Sequence, residues 1–369
     1  MDPLVQLLIG VGAISAITTI LAVIMVIADA TIGNYGDVNI RINDEKDVTT
    51  EGGRPLLSSL MEEKIFIPSA CGGRGSCGLC KVRVTSDVGE HLPTELPWLT
   101  EEERSENVRL SCQLKVKKDI SIQIPEELFN VKEFQCDVAS IVELSPDIRE
   151  VILRLKEPGQ IRFKAGQFVQ FEVPEYEGSS ESVYRAYSIA NQPSRDGEIE
   201  LEIRLVPDGI CTTYVFQHLK VGDTVTINGP YGDFYLRDSD AKIVLVAVGT
   251  GNAPIMSMLR YMKEEGISRE AVYFFGARHG CDLILSEELR ELERTLPAFS
   301  YVPSLSRPLP EDDWKGEVGR VTDAIEKRIE SGENTEAYLC GSPGMIESVI
   351  EVLKGKGVPE ESIFYDKFA

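Results

Sequence analysis

The sequence predicts a multidomain protein with one N-terminal transmembrane helix, an α+β domain, an antiparallel β-barrel domain and an α/β domain. Three observations lead to this prediction. An uncharged apolar run opens the chain, a glycine-rich loop near residue 75 carries three cysteines, and an apolar strand pattern ends in a glycine turn near residue 250. A length of 369 residues corresponds to two or three domains at roughly 150 residues each. Apolar residues make up 43% of the chain, which is enough for their cores.

The chain is strongly acidic. It contains 60 Asp and Glu residues against 38 Lys and Arg residues, and its formal net charge at pH 7 is −22. Because such a charge repels the phosphates of DNA and RNA, we expect no nucleic acid partner.

The apolar run extends from Leu4 to Ile27 without a charged residue or a proline. As a helix it is long enough to cross the roughly 30 Å of bilayer hydrocarbon, so residues 1–30 are predicted to be a transmembrane anchor. A cleaved signal peptide is the alternative, because Ala28-Asp29-Ala30 resembles a cleavage site. Against it, no basic residue precedes the run, and the run is longer than a signal core. Arg41 follows the run and favours a cytoplasmic location for the rest of the chain.

Four of the eight cysteines are predicted to hold an iron–sulfur cluster. Cys71, Cys77 and Cys80 lie in one loop with four glycines, and Cys112 follows at a distance. Such a loop can surround an inorganic cluster while backbone N–H groups point at its sulfurs, and the spacing is close to the plant-type [2Fe–2S] pattern. Zinc is the alternative metal, although zinc sites usually use paired short-spaced cysteines or histidines, and the histidines lie outside the loop.

The elements around this loop resemble the ferredoxin domain of the adrenodoxin and oxygenase-reductase kind. Asp37–Ile42 alternates as a strand, and residues 56–63 have a helical pattern. The resemblance implies a ferredoxin-like (β-grasp) [2Fe–2S] domain over residues 34–130.

Residues 131–238 are predicted to form an antiparallel β-barrel that binds FAD, because strand patterns with short polar turns are typical of such barrels. Arg185, Tyr187 and Ser188 match the R-x-Y-S motif of the ferredoxin-reductase flavoproteins. In this resemblance Arg185 binds the FAD pyrophosphate, Tyr187 lies against the flavin, and Ser188 lies near flavin N5. An exposed arginine beside a core tyrosine is the alternative interpretation of the motif alone.

Two further groups are predicted to contact FAD. Gly209 opens a turn before a helical pattern, so that Thr212, and with it Cys211, would lie at a helix N-terminus suited to the pyrophosphate. The resemblance also implies that Phe368 covers the flavin face where the nicotinamide must dock, whereas core filling is the alternative role.

Residues 239–369 are predicted to form a Rossmann-like α/β domain that binds NADH. The run Lys242–Val248 is typical of a buried parallel strand, and the glycine turn and helix that follow form a dinucleotide phosphate site. Two later strands end at Arg278 and at Cys340. The residues predicted to bind NADH are Gly249, Thr250, Gly251, Asn252, Ala253, Pro254, Arg278, Cys340, Gly341, Ser342 and Pro343.

Positioning roles in hydride transfer are assigned to Ser188 and Cys340. In the reductases that this domain resembles, the cysteine borders the nicotinamide, whereas an inert buried thiol is the alternative role for Cys340. The sequence shows no arginine cluster for a 2′-phosphate, so NADH is favoured over NADPH.

An anchor, a [2Fe–2S] domain, an FAD barrel and an NADH domain in this order resemble the family of flavoprotein subunits of sodium-translocating NADH:quinone oxidoreductases. The resemblance implies hydride transfer from NADH to FAD, then single electrons to the cluster and to other subunits of a membrane respiratory complex. It places the chain in the bacterial inner membrane, with its bulk in the cytoplasm. A soluble oxygenase reductase, a non-catalytic electron carrier and a ferredoxin-linked respiratory complex remain as alternatives.

Overall fold

The chain forms two compact units in the computed structural model. The structure describes residues 3–32, 35–126, 128, 131–180 and 182–368, with side chains from residue 9 to residue 25 within the N-terminal helix. The smaller unit comprises Met1–Ile67 and Gly73–Phe129. The larger unit comprises Pro68–Gly72 and Asn130–Ala369.

Helix α1 runs from Pro3 to Ile32 and contains the uncharged run. Its described apolar side chains are exposed, among them Ile14 and Met25. Counting only the described residues, no helix reaches the length and hydropathy that crossing a membrane requires. The transmembrane anchor therefore stays a prediction.

A mixed five-stranded sheet forms the core of the smaller unit. Its strands are β1 (Asp37–Ile42), β2 (Lys46–Glu51), β3 (Lys81–Val84), β4 (Val108–Leu110) and β5 (Ile120–Gln123), in the spatial order β2-β1-β5-β3-β4. Strands β1 and β5 are parallel, and the other pairs are antiparallel. The predicted alternation of β1 is observed, since Val38, Ile40 and Ile42 are buried. Helix α2 (Leu56–Glu62) packs Leu56 and Leu60 into the same core, and helix α3 (Glu101–Ser105) precedes β4.

The first sheet of the larger unit is antiparallel and has six strands. They are β6 (Lys132–Ser145), β7 (Ile148–Glu157), β8 (Phe168–Val173), β9 (Val183–Ser188), β10 (Glu198–Arg204) and β11 (Thr224–Tyr231), in the order β10-β7-β6-β11-β8-β9. A bridge between Ile189 and Leu201 joins the two edges of this sheet, as expected when a sheet curves toward a barrel. Helix α4 (Ile210–Gln217) packs against strands β9 and β10.

The second sheet of the larger unit is parallel and also has six strands. They are β12 (Lys242–Val248), β13 (Ala271–Ala277), β14 (Phe299–Leu305), β15 (Glu317–Val318), β16 (Thr335–Gly341) and β17 (Ile363–Lys367), in the order β15-β14-β13-β12-β16-β17. The accompanying helices are α5 (Asn252–Glu264), α6 (Ser286–Thr295), α7 (Val321–Arg328) and α8 (Pro343–Gly355).

Strand β12 is buried on both faces, which explains its continuous apolar sequence. Leu245 belongs to the core cluster on one face of the sheet, and Val244 and Val246 belong to the cluster on the other. The strand order reverses between β12 and β16. In open α/β sheets, ligands bind in the crevice outside the carboxyl ends of the strands at such a reversal.

Candidate functional site

The cysteine loop of the smaller unit has a backbone that requires glycine. Gly78 has a φ of 69°, and a Cβ atom at this position would lie 2.8 Å from Trp98 Cε3. An L side chain at residue 78 would therefore be strained and would collide with the indole ring. The loop can hold thiols and N–H groups in a tight curve only because this residue is glycine.

The structure brings two of the predicted ligands together. Cys80 and Cys112 are buried, and the hydrogen bond with Cys112, together with burial, raises the pKa of the Cys80 thiol. Gln113 Nε2 lies 3.5 Å from Cys112 Sγ and donates toward it. Buried thiols with an N–H donor directed at sulfur are the chemistry that an iron–sulfur cluster needs, so these residues fit a [2Fe–2S] group.

The four cysteines predicted as ligands are divided between the two compact units. In the described part of the chain, no group of three or more His, Cys, Asp or Glu side chains is arranged to hold a metal ion. Cys77 lies in the smaller unit, and Cys71 lies in Pro68–Gly72, which belongs to the larger unit. The four-cysteine ligand set therefore stays a prediction.

A buried ion pair fixes the strand that leads to Cys112. Arg109 Nη2 lies 2.7 Å from Glu95 Oε2, and both side chains are at most 2% exposed. Glu95 also accepts the N–H groups of Leu92 and Leu110. Burial opposes ionisation of Glu95, but these hydrogen bonds and the guanidinium hold its pKa below the usual value.

The segment with Cys71 is tied to strand β8 of the larger unit. The Ser69 N–H donates to Gln170 Oε1 at 3.1 Å. Gln170 Nε2 donates in turn to Asn228 Oδ1 at 2.9 Å and to the Tyr231 hydroxyl at 3.0 Å. Sequence reasoning missed this buried network, because its members are far apart in the chain.

Apart from Phe368, the residues predicted for FAD lie on β9 and at the start of α4. The Tyr187 hydroxyl donates to Cys211 Sγ at 3.1 Å, and burial raises the pKa of Tyr187. Arg185 Nη1 donates to Tyr184 O at 2.7 Å, and its guanidinium lies against Gly72. Ser188 is buried at the end of β9. The structure thus brings Tyr187 and Cys211 into contact.

Thr212 lies in the first turn of α4, and its hydroxyl bonds back to the loop before the helix. Its hydroxyl accepts the Val206 N–H and donates to Val206 O, both at 3.1 Å. Gly209 is the residue immediately before α4. The hydroxyl therefore holds the turn that leads into this helix.

The predicted NADH residues surround the start of α5 and the end of β16. A Cβ atom on Gly251 would collide with Cys340 O, so glycine allows the turn to approach β16. The Phe368 N–H donates to Gly341 O at 2.9 Å, which places the terminal aromatic residue beside this strand end. Burial raises the pKa of the Cys340 thiol well above its usual value, so the thiol is neutral.

The side chain of Asn252 belongs to a buried polar network. Its Nδ2 donates to Glu202 Oε1 at 2.8 Å, and its Oδ1 accepts the Tyr273 hydroxyl at 2.9 Å. Burial raises the pKa of Glu202 well above its usual value. Sequence reasoning missed Glu202, because the pattern of β10 alone does not show what packs against it.

A cavity of about 440 Å³ opens at the carboxyl ends of β12, β13 and β14. Of the predicted residues, Gly249, Arg278 and Ser342 line it. Arg204 and Arg320 also line it, and the sequence did not predict them. Thus the sequence shows no arginine cluster, but the structure gathers three arginines that are far apart in the chain.

Three domain families match the chain in the predicted order. Residues 40–117 match the 2Fe-2S iron-sulfur cluster binding domain, residues 135–235 the oxidoreductase FAD-binding domain, and residues 245–351 the oxidoreductase NAD-binding domain. Fold and site therefore define an iron–sulfur flavoprotein oxidoreductase. The prediction of FAD, a [2Fe–2S] cluster and NADH as cofactors is confirmed by these matches.

Curated relatives give the family. A protein of Neisseria meningitidis is 36% identical over 403 residues, covering 98% of this chain and 99% of the relative. A protein of Idiomarina loihiensis is 36% identical over 405 residues with the same shares. Both are named as the F subunit of Na(+)-translocating NADH-quinone reductase, and this chain belongs to that family.

Solved structures show the same fold. The cytochrome P450 reductase GcoB of Amycolatopsis aligns with a TM-score of 0.72 and 30% identity, covering 90% of this chain and 98% of that chain. The ferredoxin reductase in carbazole 1,9a-dioxygenase aligns with a TM-score of 0.70 and 25% identity, covering 90% of this chain and 99% of that chain.

Proposed function

We propose that this chain is the NADH-oxidising, electron-input subunit of a membrane sodium-translocating NADH:quinone reductase. The observation that carries the proposal is the similarity to the F-subunit relatives over 98% of the chain. When bound, FAD accepts a hydride from NADH and releases electrons singly, and a [2Fe–2S] cluster accepts one electron at a time. Partner subunits then receive the electrons.

Cys71, Cys77, Cys80 and Cys112 hold the cluster in this proposal. The buried contact of Cys80 with Cys112 and the Gln113 amide directed at sulfur support the assignment. Because metal ligation requires the thiolate, Cys80 gives up its proton when the cluster binds.

The flavin site uses β9 and the start of α4. Arg185 binds the FAD pyrophosphate. To do so, its Nη1 gives up the hydrogen bond to Tyr184 O and donates to a phosphate oxygen instead. Tyr187 lies against the flavin, and its bond to Cys211 fixes the ring. Ser188 lies near flavin N5. The turn at Gly209, held by the Thr212 hydroxyl, positions the N-terminus of α4 at the pyrophosphate.

The NADH site uses the turn before α5 and the end of β16. The backbone N–H groups of the turn from Gly249 to Pro254 receive the pyrophosphate, because a helix N-terminus stabilises negative charge. Cys340 to Pro343 border the nicotinamide, and Cys340 is a positioning residue. The bond from Phe368 to Gly341 supports a role of the terminal ring at the same edge.

Residues 1–30 anchor the chain in the bacterial inner membrane by a single span, with the bulk of the chain in the cytoplasm. The uncharged run and the names of the relatives support this part of the proposal. The run carries no ionisable residue, so a sodium path belongs to partner subunits.

Purification from membranes tests the proposal. We expect the full chain to remain with the membrane fraction, to carry flavin and iron–sulfur absorption, and to co-purify with other subunits. A chain that lacks residues 1–30 should leave the membrane unless partners hold it. A full chain that stays in the soluble fraction without partners would contradict the proposal.

The reductase component of an oxygenase system is the second candidate function. The alignments with GcoB and with the carbazole dioxygenase ferredoxin reductase favour it, since both cover nearly all of those chains. Electron transfer from the purified chain to a soluble oxygenase, without membrane partners, would support this candidate.

A further inference from the structure

Helix α5 connects the two cofactor sites proposed for the larger unit. The turn from Gly249 to Pro254, which leads into this helix, is the proposed site of the NADH pyrophosphate. Two turns further along, Arg260 Nη1 donates to Ala190 O at 3.0 Å. Ala190 lies two residues after Ser188, which is proposed to lie near flavin N5. The same helix therefore bonds to the strand end of the flavin site and begins at the NADH site.

A second bond joins α5 to the same strand end. The Ser257 hydroxyl donates to Asn191 O at 2.7 Å, and both residues are buried. At 1.5 Å per residue, Arg260 lies about 12 Å along the helix from Asn252. Because a helix is a stiff element over that length, any shift of α5 on the barrel moves the glycine turn with it.

The Arg260 guanidinium lies between carboxylates of the barrel and of the α/β domain. Its Nη1 lies 2.6 Å from Glu200 Oε1 on β10, and its Nε lies 2.7 Å from Glu288 Oε1 on α6. The side chain of Arg260 is only 13% exposed. Burial disfavours the charged form, but the hydrogen bonds and charges of Glu288 and Glu200 raise the pKa of Arg260, so the guanidinium stays charged.

Without this cation, carboxylates of the two domains would face each other. Glu200 belongs to the barrel and Glu288 to the α/β domain, and Glu150 adds a third carboxyl group beside Glu200. Arg195 also pairs with Glu200, at 3.2 Å, but it belongs to the barrel and does not join the domains. Arg260 thus turns a repulsion between like charges into an attraction.

We propose that Arg260 is a positioning residue that holds the NADH-binding helix α5 on the strand end that carries Ser188, and so sets the distance between NADH and the flavin. The inference rests on the proposed function, because it names what aligns the two cofactors of that site. Arg260 acts through α5 and touches neither cofactor. Hydride transfer needs the reacting atoms about 3–3.5 Å apart, so a small displacement of the helix lowers the rate strongly.

Hydrogen exchange of the purified full chain with its cofactors, but without NADH, measures the contact itself. In Arg260→Met we expect faster exchange of the backbone amides of α5 and of residues 189–191, because these segments lose their common partner. Arg269→Met is the matched control. Arg269 is 10% exposed and bonds to Glu336 and to two backbone carbonyls before β12. Its loss should leave exchange at residues 189–191 unchanged.

Stopped-flow reduction of the bound FAD at saturating NADH measures the consequence. We expect the limiting rate to fall about 10-fold or more in Arg260→Met and to stay unchanged in Arg269→Met. Equilibrium binding of adenosine 5′-diphosphate, which has no nicotinamide, should be the same in both variants and in the unchanged chain. Ser257→Ala removes one neutral hydrogen bond and should lower the limiting rate by a smaller factor.

The outcomes separate this inference from the proposed function. Unchanged exchange or an unchanged limiting rate in Arg260→Met would overturn the inference, and so would an equal fall of the rate in Arg269→Met. If Arg260→Met does not fold, an unchanged limiting rate in Ser257→Ala would overturn it. Exchange that depends on Arg260 in a chain whose FAD is not reduced by NADH would contradict the proposed function and leave the contact standing.

Discussion

Asn252 donates a hydrogen bond from Nδ2 to Glu202 Oε1 at 2.8 Å, and this bond joins the first turn of α5 to strand β10. Both side chains are buried, and Tyr273 completes the contact by donating to Asn252 Oδ1. Glu202 Oε2 has no hydrogen-bond partner among the described residues. The glycine turn proposed for NADH is therefore held to the flavin barrel by a neutral polar contact in the core.

This contact predicts unequal effects of two substitutions. Asn252→Ala should destabilise the larger unit by about 1–3 kcal/mol, because it leaves the Glu202 and Tyr273 groups buried without partners. Glu202→Gln should reduce the free energy of unfolding much less, because burial keeps Glu202 protonated and the substitution replaces a neutral acid with a neutral amide. Denaturant unfolding measures both. A large loss in Glu202→Gln would mean that the carboxylate is ionised.

Stability of the larger unit should depend on pH through Glu150, which lies opposite Glu202 in the strand register. Burial raises the pKa of Glu150 from 4.5 to about 7, and the nearby carboxylates of Glu200 and Glu288 add to this shift. The positive charge of Arg260 opposes it. Between these values the folded chain binds more protons than the unfolded chain, so stability falls as pH rises from about 4.5 to about 7.

Glu150→Gln should reduce this slope. Unfolding curves measured across the same pH range for both proteins provide the check. Identical slopes would show that Glu150 is not responsible.

The buried pair of Glu95 and Arg109 should matter more than an exposed pair in the same unit. Glu95→Ala should destabilise the smaller unit by about 3–5 kcal/mol, because it leaves the Arg109 charge buried and unpaired. Glu106→Ala removes the partner of Arg83, an exposed pair, and should change stability by about 0–1 kcal/mol.

The iron content should fall more in Glu95→Ala than in Glu106→Ala. Glu95 fixes the strand before Cys112, so its loss should lower cluster occupancy, whereas Glu106→Ala should not. Equal iron content in Glu95→Ala and the unchanged chain would contradict the positioning role.

Arg185→Ala should weaken FAD binding while sparing the cluster. A charge-assisted hydrogen bond to the pyrophosphate corresponds to a loss of about 10-fold to 100-fold in affinity. Arg154→Ala, an exposed arginine of the same sheet, is the matched control and should retain FAD. Flavin titration and the iron–sulfur spectrum provide the readouts, and full FAD retention in Arg185→Ala would argue against the assignment.

Local sequence patterns predicted the elements well. The alternation of β1 and the apolar run of β12 each correspond to an observed strand, and the turn at Gly249 leads into α5 as expected. These features depend on neighbouring residues, so a single sequence contains the necessary information. The domain matches confirm the three predicted cofactors.

Contacts between distant residues could not be predicted in this way. Arg204, Arg278 and Arg320 come together only because parallel strands align their carboxyl ends at one edge. The sequence predicts a contact between Asn252 and NADH from its place in the turn. In the structure Asn252 begins α5, and its side chain donates to Glu202. Strand pairing and helix packing decide such contacts.

Stopped-flow reduction by NADH of the purified Cys77→Ala variant tests the order of electron transfer most directly. We expect the bound FAD to be reduced at nearly the rate of the unchanged chain, while electron delivery to partner subunits is lost. Cys281→Ala, which removes an exposed cysteine outside the loop, should retain both steps. Loss of flavin reduction in Cys77→Ala with FAD still bound would contradict the account.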